Sequence, residues 1–164
     1  MTELRCAGIR DAVRGAELLA LPVEFSGIYL GRPVDLAVDL AQARVLALEV
    51  VCGDDERRYL PLPAARIEAE RIAVGSPLVM IDAGDTDFYR RHAQTLRGLL
   101  RVPVESGETE LGRLEDVIML TDGQIVELVV KSLDGVRRVP LDARIRVGGA
   151  SRPPGGRGGV RSAL

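Results

Sequence analysis

LGRLEDVIMLTDGQIVELVV, residues 111–130 of a 164-residue chain, reads as two β-strands joined by a tight turn. Residues 116–120 and 125–130 are short runs rich in Val, Ile, Met and Leu, the composition of strands that bury one face. Thr121-Asp122-Gly123 stands between them. An Asp-Gly pair between two apolar runs marks a hairpin, because glycine takes a positive φ without a Cβ clash. Gly112, ahead of the first strand, predicts a tight bend or a bulge there.

The same order of residues occurs upstream. Leu30-Gly31-Arg32 matches Leu111-Gly112-Arg113, so Gly31 and Gly112 stand 81 positions apart. At that offset Asp35 meets Asp116, and Leu18-Leu19-Ala20-Leu21-Pro22-Val23-Glu24 meets Leu99-Leu100-Arg101-Val102-Pro103-Val104-Glu105. Past the hairpin the register drifts by a residue or two, as insertions at loop tips allow. Arg44-Val45-Leu46-Ala47-Leu48 then meets Gln124-Ile125-Val126-Glu127-Leu128, and Leu60-Pro61-Leu62 meets Val139-Pro140-Leu141. Two copies of one unit imply twin domains rather than a solenoid.

Composition sets the terms of the core. Hydrophobic residues make up 46% of the chain, aromatic residues only 3%, and there is no Trp, so the core must be aliphatic. Each copy is small for a core of its own, which predicts that the copies pack on one another or on a second chain. A net charge of −2 gives no global case for nucleic acid. Cys6 and Cys52 form no C-x-x-C pattern and read as small apolar fillers in a reduced protein. No apolar run approaches the ~20 residues of a membrane span, and the charged start MTELRCAGIRDA has no secretory core. The expectation is a cytoplasmic protein without a membrane span.

Taken in order, residues 1–82 are expected to form the first β-unit, 83–98 a helical connector, 99–147 the second β-unit, and 148–164, with RPPGGRGG, a disordered tail. Residues 1–16 fit either a strand near 4–9 or a helical turn near 11–16. Leu40-Ala41-Gln42-Ala43 replaces the Asp-Gly turn in the first copy, is one residue longer and has no glycine, so this turn must be of another type. Residues 44–51 form a nearly unbroken apolar run, expected to be a well-buried strand. The segment DTDFYRRHAQTLR, 85–97, is the best helix candidate, with Asp85 or Thr86 as N-cap and Gly98 as its end.

His92 is the only histidine, and the sequence places no partner acid beside it, so an exposed helix residue is the simpler reading. Asp82, Asp85 and Asp87 lack the further oxygen ligands and the terminal Glu of a calcium loop; a turn and a helix start account for them. Asp54-Asp55-Glu56 beside Arg57-Arg58 reads as a solvated hairpin tip or a charged docking edge. The glycines at 155–156 and 158–159 belong to no phosphate loop. With Arg152, Arg157 and Arg161 they offer at most weak contact to RNA. The expected site inventory is therefore no catalytic, cofactor-binding or metal residue, and no enzyme.

The duplicated pattern resembles the PRC-barrel family. The second copy carries it in Leu111-Gly112-Arg113, Asp116-Val117, Asp122-Gly123-Gln124-Ile125 and Val139-Pro140, the first in Leu30-Gly31-Arg32, Asp35-Leu36 and Leu60-Pro61-Leu62. The resemblance implies a mainly all-β fold of two tandem small PRC-type β-barrels with a short connecting helix. Related domains are the cytoplasmic part of the reaction-centre H subunit and the C-terminal domain of the ribosome maturation factor RimM. The resemblance therefore implies a non-enzymatic module for protein interaction or assembly, with an unspecified protein partner and a homodimer through short edge strands left open. The alternative it leaves open is a ribosome- or RNA-associated maturation factor.

Overall fold

A computed structural model describes residues 12–82 and 86–148. The expected strand near 4–9, Asp85 and the expected tail from 149 onward lie outside them. The chain opens with β1 (Ala12–Arg14) and α1 (Gly15–Leu19), then β2 (Val23–Phe25), β3 (Ile28–Asp39), β4 (Arg44–Cys52), β5 (Arg57–Pro61), β6 (Ala65–Ile67) and β7 (Ile72–Val74). A linking stretch holds β8 (Ile81–Asp82), α2 (Asp87–His92) and β9 (Gln94–Thr95). The second copy runs through α3 (Leu96–Leu99), β10 (Pro103–Ser106), β11 (Thr109–Leu120), β12 (Ile125–Ser132), β13 (Gly135–Pro140) and β14 (Ile145–Val147). The fold is mainly β, as the strand patterns require. The helix expected over 85–97 is corrected: it stops at His92, a two-residue strand follows, and Gly98 lies inside α3.

Two sheets result. One has the order β13-β12-β11-β10-β14, with β1 added on β11; the other has β6-β7-β2-β3-β4-β5-β8, with β9 added on β3. The copies agree in their irregularities. In β3–β4 the register shifts between Pro33 and Asp35 and again between Ala37 and Val38. In β11–β12 it shifts between Leu114 and Asp116 and between Ile118 and Met119, which are the same positions 81 residues on. Bulges bend a strand and increase its twist, so both twelve-residue strands curl at the same places. Pro33 is tolerated inside a long strand because it stands at a bulge; its counterpart Leu114 donates its N–H to the Val102 carbonyl at 2.9 Å.

The glycines of the two Leu-Gly-Arg triplets are steric requirements. A Cβ on Gly31 would come within 2.5 Å of the Val51 carbonyl oxygen, and one on Gly112 would strike the Lys131 carbonyl. Gly112 also has φ +142. Gly31 pairs with Val23 and Gly112 with Val104, each beside a register shift that leaves the preceding Leu30 or Leu111 as the extra residue of its own strand. In the hairpin turns, Gly123 takes φ +95 and its counterpart Ala43 takes φ +52. The glycine-free loop thus reaches the same left-handed geometry, at a cost glycine avoids.

The copies are not side by side; they exchange their leading segments. β1, which precedes the first copy, pairs with β11 of the second, and β9, which precedes the second, pairs with β3 of the first. Each exchange is secured by a buried aspartate. Asp116 accepts hydrogen bonds from the Ala16 N–H of α1 at 3.2 Å and the Val117 N–H at 2.8 Å. Asp35 accepts from the Arg97 N–H of α3 at 3.1 Å and the Leu36 N–H at 2.8 Å. The first-turn donors of a helix have no partner within the helix, and here the opposite copy supplies one. The hairpin tips also meet: Val45 N–H donates to the Gly123 carbonyl and Ile125 N–H to the Ala43 carbonyl, each at 2.8 Å.

The aliphatic core follows from this exchange. Leu18 from α1 and Leu96 from α3 are buried with Leu36, Leu48, Leu114 and Leu128 in one cluster drawn from both copies. A second, smaller cluster on the outer face of the first sheet joins Ala37 and Ala47 to Tyr89 of α2. That cover explains the unbroken apolar run of β4, which is buried on both faces. Asp116→Ala or Asp35→Ala is expected to cost about 2 kcal/mol in urea unfolding, the scale of losing a charge-assisted bond to buried backbone. Both variants should still unfold in a single transition, because the core is shared.

Candidate functional site

The residues singled out in the sequence fall in different places. His92 is exposed at the end of α2, its ring centroid 4.7 Å from that of Phe88. Asp87 lies in the first turn of α2 and Thr86 at its N-cap position, where it is buried. Asp82, on β8, reaches back to the acidic hairpin: its carboxylate accepts from Arg58 Nε at 2.9 Å. Arg58 also grips Asp54 with both terminal nitrogens, at 2.9 and 2.7 Å. The hairpin tip and the aspartate-rich stretch, separate in the sequence, are therefore joined by one guanidinium. Among the described residues no group of three or more His, Cys, Asp or Glu side chains is set to hold a metal ion.

A cleft of about 240 Å³ opens on the outer face of the first sheet, between β3, β5, α2 and β9. Tyr59 of β5 and Tyr89 of α2 stack across it with ring centroids 5.0 Å apart, and Phe88 meets Tyr89 edge-on. Three of the five aromatic residues of the chain thus gather around α2. Burial pushes both phenols above the ordinary tyrosine range, aided at Tyr59 by the Glu49 carboxylate and at Tyr89 by Tyr59. Glu49, which faces the cleft, is bound to Arg57 at 2.9 Å. What the cleft offers is aromatic surface with a satisfied carboxylate at its rim, suited to packing α2 on the sheet. Sequence reading missed it, because the spacing of Tyr59 and Tyr89 carries no signal until β8 turns the chain back.

The other distinctive surface is in the second copy. β13 lies at the end of its sheet, paired with β12 alone among the described residues. Five of its six residues are exposed, including Val136, Arg137 and Arg138. The hairpin leading into it presents Leu133 fully to solvent beside a depression of about 510 Å³ lined by Leu111, Arg113 and Lys131. The basic groups here have acceptors: Arg137 donates to the Leu111 carbonyl at 3.3 Å, Arg138 lies 3.9 Å from Glu127, and Arg146 lies 3.7 Å from Glu105. No helix among the described residues is long and apolar enough to cross a membrane.

The Arg58 junction gives a direct test. Hydrogen bonds from Arg58 hold the Asp54 carboxyl down at about 2. A carboxyl whose folded value is depressed adds stability above its unfolded value, near 4, and loses it as pH falls through the folded one. NMR titration of the Asp54 carboxyl should give a midpoint near 2, rising towards the ordinary range in Arg58→Ala. In comparisons with known proteins, no family model matches this chain and no curated protein does.

Proposed function

We propose that the chain is a non-enzymatic tandem PRC-barrel protein of the cytoplasm that acts as a protein-interaction or assembly module. In this reading each curled sheet, with the segment lent by the other copy, is one barrel of the family type. The observation that carries it is the faithful duplication of the unit, down to the bulges at 33–35 and 114–116, together with an outer strand of the second copy that, among the described residues, pairs on one side only. A scaffold built twice around a shared core leaves its edges and hairpin tips to vary, and such surfaces are where binding settles. The buried carboxylates Asp35 and Asp116 serve the backbone and take no part in a reaction.

The alternative, a ribosome- or RNA-associated maturation factor, needs a basic face free to meet phosphates. Arg138 of β13 and Arg146 of β14 lie against acidic groups, and the net charge is −2, which favours the protein-binding reading. Affinity capture with the intact chain from its native cell, after crosslinking, is expected to recover a defined protein at stoichiometric level. Recovery of ribosomal subunits, released as salt is raised, would replace this reading with the alternative. Capture of nothing above background would remove it.

A further inference from the structure

The two copies treat their outermost strand differently. Pro61 aligns with Pro140, so Arg58 of β5 corresponds to Arg137 of β13, and Tyr59 to Arg138. In the first copy β8 closes the edge: Arg58 stands opposite Asp82 and Tyr59 opposite Ile81. The carboxylate of Asp82 meets Arg58 at 2.9 Å. In the second copy no strand among the described residues pairs with the outer side of β13.

The backbone of β13 is turned the right way to receive a strand. Leu141 N–H donates to the Val126 carbonyl at 3.0 Å. By alternation, Gly135, Arg137 and Val139 turn their peptide groups to β12, and Val136 and Arg138 turn theirs outward. The matching argument holds in β5, where the Glu56 carbonyl accepts from Cys52 N–H at 2.9 Å and Tyr59 therefore faces β8. Arg138 thus offers the peptide group that Tyr59 uses. A strand edge left with unpaired donors and acceptors is a template for another strand.

Charge decides what kind of strand. A second copy adding its own β13 antiparallel would bring the Arg137-Arg138 pair against itself, and like charges directly opposite are destabilising. The chain beyond β14, residues 149–164, has Arg152, Arg157 and Arg161 and no carboxylate side chain, so it does not match either. We propose that the outer edge of β13 receives an extended segment of another protein in which an apolar residue is followed by a carboxylate, as in Ile81-Asp82 on β5. This assignment rests on the interaction-module reading and names its surface.

The probe is a fluorescein-labelled peptide of residues 78–87, LVMIDAGDTD, titrated with the full chain and followed by anisotropy. Saturable binding that weakens as salt rises is expected. It should fall at least about tenfold, some 1.4 kcal/mol, in Arg138→Pro, which removes one outward N–H and spares the pairing with β12. It should fall similarly in Arg137→Glu/Arg138→Glu, which keeps the backbone and reverses the charge. Circular dichroism and melting establish that each variant is folded. No binding, or binding unchanged in the folded variants, overturns the assignment, the latter because the peptide would then be displacing β8 from β5. A crosslinked partner retained by Arg137→Glu/Arg138→Glu likewise overturns this edge while leaving the interaction reading intact; failure of the wild-type chain to capture any partner removes that reading itself.

Discussion

Two buried aspartates hold the architecture together. Asp35 and Asp116 each bind their own strand and the first turn of a short helix from the opposite copy. Helices of four and five residues are far too short to persist alone, so α1 and α3 exist because of these contacts and the leucines behind them. Gly15 shows how tight the junction is: a Cβ there would lie 2.6 Å from an Asp116 carboxylate oxygen and 2.8 Å from Leu96. The position equivalent to Gly15 in the second copy is Leu96 itself, so the symmetry is broken where the copies touch. One side supplies the knob and the other the space for it.

The repeat, the hairpins and the aliphatic core were legible because each rests on local spacing. The Asp-Gly turn, the Leu-Gly-Arg triplets and the apolar runs of β4 and β12 are signals a few residues long, and the strands lie where those signals put them. The exchange was not legible. Ala12–Arg14 and Gln94–Thr95 are two or three residues with no pattern of their own, and only their pairing partners, more than 100 positions away for the first and more than 50 for the second, make them strands. The helix over 85–97 read as one piece because its composition is helical throughout. Docking of Gln94–Thr95 onto β3 outcompeted that propensity, which is a weak preference beside a ladder of sheet bonds. The Tyr59–Tyr89 stack was hidden for the same reason as the exchange, since it depends on a contact between distant segments.

The copies have diverged in their coverings and kept their frame. The first sheet inserts β7 between β2 and β6, where the second pairs β14 directly with β10. The first carries β8 and the aromatic cluster of α2 over its outer parts, and among the described residues the second has no counterpart to β8. The cleft of Tyr59 and Tyr89 reads best as the seat of a covering element. Its lining carboxylate, Glu49, is already engaged by Arg57. The open margin of the second sheet is the more informative surface, because the molecule itself supplies the pattern of what belongs there.

The crossed hairpin tips carry a consequence for how the two halves depend on each other. Val45 bonds to Gly123 and Ile125 to Ala43 at equal distance, as two identical subunits would do about a two-fold axis. Together with the traded leading segments, this relates the two copies as equals that exchange an element, joined through the stretch that holds β8 and α2. A chain severed in that stretch would yield two pieces, each missing a strand and a helix that pack on it from the other. Mixed together they should reassemble into one particle, and kept apart they should not fold, a difference that gel filtration of the separate and combined fragments would reveal.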